Sequence, residues 1–169
     1  MSLLPEIAGW KSNTCFLDTA VDRSIILRVL DAGRRAPSAK NRQAWRFVAI
    51  TEEEKRKQIH EAAYQEPHLI EAPVIIAGCT TNIDYRMPNG QLSYPIDISI
   101  ALSFMMLQAR HEGLETCPVT TFMEQEVKEV LTVPYAMRVV MLLLVGYGND
   151  QSEPRQRLPL EDIISFNHW

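Results

Sequence analysis

Apolar residues along the chain follow two rhythms, one helical and one extended. Between residues 22 and 34, Ile25, Ile26, Val29 and Leu30 recur at three- and four-residue intervals and so line one face of a helix. Asp22 is a capping residue at its start, and Gly33 can stop it. RFVAI (46–50) is short, β-branched and aromatic, and reads as a strand. Thr51 and Glu54 stand at capping-box spacing ahead of a polar helix that runs to about Tyr64. APVIIAGCT (72–80) is apolar at successive positions, hence on both faces, which predicts a central strand. Asn, Asp, Pro, an Asn-Gly pair and Ser make 81–94 a loop. PIDISIALSFMMLQARHEGL (95–114) predicts the main helix, with Pro95 in its first turn, Gly113 at its end and an apolar surface too wide for one stripe. LETCPVT (114–120) fits a short strand or an extended turn, 123–131 a short amphipathic helix, and MRVVMLLLVGYG (137–148) a third buried strand. The tail from Asn149 predicts a polar loop, a short helix and an aromatic terminus that docks on some other surface. Helices and strands in this order, without repeats, imply α+β layers in a single domain over residues 1–169.

With 169 residues, 46% of them hydrophobic, one such domain can bury a sizeable core. A net charge of −4 argues against a dominating basic face, and so against non-specific nucleic-acid binding. The longest apolar run, 139–145, has a strand's length and not a membrane span's. The opening MSLLPEIAGWKSN lacks the pattern of a secretory signal, and Cys15, Cys79 and Cys117 are odd in number and widely spaced. A reducing cytoplasm is the expected location. No nucleophile elbow, phosphate-cradling glycine loop or His pair at metal spacing appears, and His60, His68, His111 and His168 are scattered.

Two clusters of donors remain. RRAPSAKNRQAWRFVAIT (34–51) sets Ser38, Asn41 and Gln43 on a loop held by Pro37, immediately before a buried strand. Such amides can grip a polar ligand or can simply satisfy backbone groups at a helix end. In EPRQRLP (153–159), Arg155 and Arg157 point the same way if the segment is extended, which suits a phosphate. From the residues alone, a solvated surface loop is the simpler reading of that motif.

VLDAGRRAPSAKNRQAWRFVAIT resembles the first signature of the FMN-dependent nitroreductase family, Ala-Pro-Ser-x-x-Asn-x-Gln-Pro-Trp followed by an apolar strand. Pro37, Ser38, Asn41, Gln43 and Trp45 match, while Ala44 stands where the family has Pro. The likeness continues in order through EAPVIIAGCT, DISIALSFMMLQARHEGLETCPVTTF, VVMLLLVGYG and RQRLPLEDIISFNHW, nearly the whole chain. It implies a nitroreductase-like α+β fold, with a central, mostly antiparallel sheet flanked by helices, in an intertwined homodimer with FMN at the interface. Pro37, Ser38, Asn41 and Gln43 match the loop that touches the flavin ring and ribityl chain. Pro118, Val119, Thr120 and Thr121 match the segment beside the isoalloxazine, and Arg155 and Arg157 the basic pair on the phosphate. The family's basic N-terminal pattern is reduced here to Lys11 and Ser12, with Trp10 and Thr14 at positions that are basic in the family. Fewer cations near the flavin should lower its potential or loosen it. The implied activity is ping-pong reduction of nitroaromatics, quinones or similar acceptors by NADH or NADPH, with the flavin doing the chemistry and no catalytic side chain. The alternatives are an offshoot that uses reduced flavin for oxygen chemistry or dehalogenation, and a non-catalytic flavin-binding protein.

Overall fold

Strands β2 (Val74–Thr80) and β4 (Arg138–Gly146) run antiparallel through the middle of a four-stranded sheet. A computed structural model describes residues 3–149 and 156–169. β1 (Trp45–Ile50) pairs antiparallel with β2, and β3 (Glu115–Val119) with β4, giving the order β1-β2-β4-β3. All seven residues of β2 are buried, as its unbroken apolar run demands of a strand with a neighbour on each side and helices on both faces. Pro118 sits inside β3 and cannot donate to a ladder. It is tolerated because β3 is an edge strand.

Alternate residues of the central strands feed two cores. On one face Ile75, Ala77, Leu142 and Leu144 pack with Ile59 and Ala62 of α3 (Glu53–Ala62), Leu69 and Val127. Leu69 lies in α4 (Pro67–Glu71) and Val127 in α6 (Glu124–Leu131). On the other face Val74, Ile76, Leu143 and Val145 meet Ile26 and Val29 of α2 (Arg23–Arg34) and Ile98, Leu102 and Met105 of α5 (Ser93–His111). The result is helix, sheet, helix, with each fully buried Leu or Ile contributing roughly 1.5–3 kcal/mol. A short α1 (Pro5–Ala8) rests against the C-terminal part of α5, tied there by His111 Nδ1 and Glu6 Oε1 at 2.9 Å.

Local signals act largely as read. The Asp22 carboxylate accepts from the Ser24 N–H at 2.6 Å and starts α2. Gly113, at φ +77, takes the chain out of α5 in the left-handed conformation. The capping box does not form: α3 starts at Glu53 with Glu52 as its N-cap and no side-chain cap bond. Thr51 therefore lies one residue too early for its hydroxyl to reach the first-turn amides, and Glu53 and Glu54 complement the helix dipole instead. α5 begins at Ser93, inside the stretch read as loop. The aromatic terminus does not dock on its own chain, since Phe166 is 81% and Trp169 fully exposed.

Candidate functional site

The registers put the start of β1, the end of β2, the start of β4 and the end of β3 at one end of the sheet. The loop entering β1 and the segment leaving β3 thus share that end but stand on opposite edges. Three strand spacings separate those edges, roughly 14 Å.

The loop is built tightly. After α2 ends, the Ala39 N–H donates to Asp97 Oδ1 of α5 at 2.9 Å, fixing the loop to the helix beneath it. The Asn41 N–H donates to Ser38 O at 2.8 Å and the Gln43 N–H to Ser38 Oγ at 3.0 Å. Lys40, Asn41 and Gln43 hold φ values of +54°, +52° and +49°, a left-handed conformation that costs a non-glycine residue about 1–2 kcal/mol. Those bonds offset the strain. At the exit, the Thr80 hydroxyl and the Thr81 N–H both donate to Ala44 O, at 2.9 and 3.1 Å. Pro37, Asn41 and Gln43 are exposed, and the Gln43 amide donates to Asn41 O at 3.3 Å. Ser38 therefore shapes the loop, while Asn41 and Gln43 present amides to whatever sits on it.

At the other edge, Ser12 bridges Thr116 in parallel, and the Asn13 N–H donates to Thr116 O at 3.0 Å. The N-terminal segment thus runs alongside β3. Ser12 Oγ lies 3.3 Å from Cys117 Sγ, and Trp10 Nε1 donates to Thr116 Oγ1 at 3.3 Å. The Arg157 guanidinium sits over the Trp10 ring, 5.9 Å from its centroid. Lys11 and Ser12 share this edge with Pro118 and Val119, and Trp10 brings Arg157 to them; Thr120 and Thr121 follow, both exposed. Arg155 lies outside the described residues.

Sequence reasoning saw Trp10 only as a lost charge, whereas it is the ring on which Arg157 rests. It also passed over Tyr85, whose ring carries Arg42 Cζ at 4.0 Å and Lys40 Nζ at 5.3 Å from its centroid. Burial pushes the Cys79 thiol up to about 11, with Glu124 adding to the shift, so it carries no thiolate at neutral pH. No group of His, Cys, Asp or Glu among the described residues could hold a metal ion. No described helix is long and apolar enough to cross a membrane. What the arrangement offers is donors and cations, suited to gripping a polar, anionic ligand.

The Nitroreductase family model matches residues 7–68 and 60–147. The chain is 25% identical to "NADH dehydrogenase" of Thermus thermophilus, covering 85% of each chain. It is also 25% identical to "FMN reductase [NAD(P)H]" of Bacillus subtilis, covering 95% of this chain and 72% of that one. A solved nitroreductase family protein from Clostridium difficile superposes over all of both chains with a TM-score of 0.86 at 28% identity. The fold is an α+β layered sheet with its donors divided between two edges, and the chain belongs to the nitroreductase family.

Proposed function

We propose that this chain is an FMN-dependent oxidoreductase of the nitroreductase type, and that it works as a homodimer with the flavin between subunits. NADH or NADPH supplies the hydride, and a nitroaromatic, quinone or similar acceptor takes the electrons. The observation that carries the reading is the division of the donors between two edges of one sheet. Lys11, Ser12 and Arg157 suit a phosphate, while the amides of Asn41 and Gln43 suit the heteroatoms of a planar ring, and one chain holds these sets apart. A second copy can bring its own loop to the first copy's phosphate edge.

The donor set fits FMN, whose phosphate is a dianion and whose ring edge accepts and donates hydrogen bonds. When bound, FMN supplies the hydride and electron transfer chemistry. The chain's own residues bind and orient. Lys11, Arg157 and the Ser12 hydroxyl would hold the phosphate, and the left-handed loop presents Asn41 and Gln43 without further ordering cost. Val119 is buried and Pro118 half-buried, so the last turn of β3 gives a dry margin leading to Thr120 and Thr121. The exposed apolar side chains on α5, Ile96 and Phe104, and those of the tail, Ile163, Phe166 and Trp169, support burial against a second copy.

Heat-denatured protein should release a yellow fluorophore that co-elutes with FMN, and anaerobic titration with a reduced nicotinamide should bleach the bound flavin. Release of FAD, or failure to take up any flavin on reconstitution, sinks the cofactor assignment. A folded monomer that still binds FMN in light scattering sinks the shared site.

A further inference from the structure

We propose that Lys40 and Arg42, held over the Tyr85 ring at the rim of the flavin loop, bind the 2′-phosphate of the electron donor, so that the chain takes NADPH in preference to NADH. The inference rests on the oxidoreductase reading above and deepens it.

Tyr85 is a fixed platform. Its carbonyl accepts from the N–H of buried Ser93 at 3.1 Å, and the bridge between Arg86 and Leu92 closes the loop that carries it. The Arg42 guanidinium lies 4.0 Å and the Lys40 ammonium 5.3 Å from the ring centroid, on either side of Asn41 in sequence. A ring face orients cations without cancelling their charge. Arg28, Arg34, Arg35, Arg110 and Arg138 each pair with a carboxylate. Lys40 and Arg42 form no ion pair among the described residues. Asp97, the carboxylate bonded to this loop, accepts from the Ala39 N–H at 2.9 Å.

Two exposed, uncompensated cations of fixed direction are therefore concentrated beside the loop that presents the flavin, in a chain whose net charge is −4. A phosphate monoester dianion is the complement of that pair, since a guanidinium matches two of its oxygens and an ammonium a third. NADPH carries such a group on its adenosine ribose and NADH does not.

The test compares anaerobic flavin reduction by the two donors in the holoprotein. The kcat/KM ratio of NADPH to NADH should be on the order of ten- to a hundredfold, the effect of one or two charge-assisted contacts. In the double variant Lys40→Asn with Arg42→Gln the ratio should fall to near unity; Asn accepts the left-handed backbone at position 40. Arg42→Lys should keep only part of the ratio, since an ammonium keeps the charge but not the two-oxygen grip of the guanidinium. High salt should lower it in the wild type, since both cations are exposed. Independently of turnover, calorimetry should show adenosine 2′,5′-bisphosphate binding the holoprotein more tightly than adenosine 5′-monophosphate, with the difference lost in the double variant. A flavin bleached equally by both donors, or a preference that survives the double variant, overturns this assignment alone. A bound flavin that neither donor bleaches overturns the oxidoreductase reading and this one with it.

Discussion

Adding one methyl group at Gly146 should cost more than adding the same methyl at Gly33, although both glycines are crowded. A Cβ on Gly146 would lie 2.5 Å from Cδ and 2.8 Å from Cγ of Pro73, and 3.0 Å from Cδ1 of Phe16. Pro73 is a closed ring one residue before β2, and Phe16 is 6% exposed and tied to the sheet by its bridge to Gly148. Neither can give without moving backbone. Overpacking of that kind costs about 2–3 kcal/mol, and relief of glycine's unfolded-state entropy returns about 0.5–1 kcal/mol. The net loss is about 1–2.5 kcal/mol, or roughly 3–8 °C in Tm for a chain of this size. On Gly33 the Cβ would lie 2.1 Å from Cε and 2.9 Å from Cγ of Met105, so this buried side chain must turn as a whole, which an unbranched thioether does more readily than a proline ring gives way. That costs about 1–2 kcal/mol, and the gain in helix propensity from Gly to Ala within α2 offsets about 1 kcal/mol of it. Gly33→Ala should therefore stay within about 1 kcal/mol of wild type. Thermal unfolding followed by circular dichroism, at fixed protein concentration and with urea midpoints as a second measure, separates the two. The reasoning fails if Gly146→Ala melts with the wild type, or if Gly33→Ala is the more damaging change.

Changing Arg155→Ala together with Arg157→Ala should weaken FMN by about ten- to a hundredfold, and riboflavin, which lacks the phosphate, far less. Parallel losses would mean general destabilisation, and no loss would return the motif to a solvated loop. The paired Arg28 guanidinium, bound to Glu112 at 2.7 and 2.8 Å, holds that carboxyl at about 2 against an ordinary 4.5. The folded-state value is depressed, so the stabilisation is complete above pH 4.5 and is lost as pH falls toward 2. The Tm difference between wild type and Glu112→Gln should accordingly shrink across that window, and a difference independent of pH would refute the linkage.

The parts of the fold that the sequence disclosed are those whose causes are local or cumulative. The Asp22 cap acts over two residues, and β2 and β4 announce themselves because burial on both faces leaves apolar runs whose polar residues, Thr80 and Arg138, stand at the strand ends. β3 hovered between strand and turn because it is five residues long and contains Pro118, a residue that only an edge position permits. α1 and α4, of four and five residues, are too short to show a period and owe their helicity to packing. For the site, the donor types of residues 37–43 were legible, but their conformation was not. Three left-handed residues without a glycine give no compositional warning, and the bond that anchors their loop at Ala39 comes from Asp97, far along the chain. The same distance hid the seat of Arg42 on Tyr85 and of Arg157 on Trp10, because neither pair lies within one element.

The left-handed run at Lys40, Asn41 and Gln43 also limits how this loop can drift. A β-branched residue at any of these positions would crowd its own backbone, so Val, Ile and Thr are the most expensive there, while Asn, Asp and Gly fit more easily and another unbranched chain adds little to the cost already present. Mutation is thereby channelled toward changes of charge and reach at constant backbone path. Lysine, glutamine or glutamate can replace one another at position 40 with little penalty to the loop, yet each would present a different potential to an arriving molecule. The strain that fixes the shape of the loop leaves its electrostatic character open to selection.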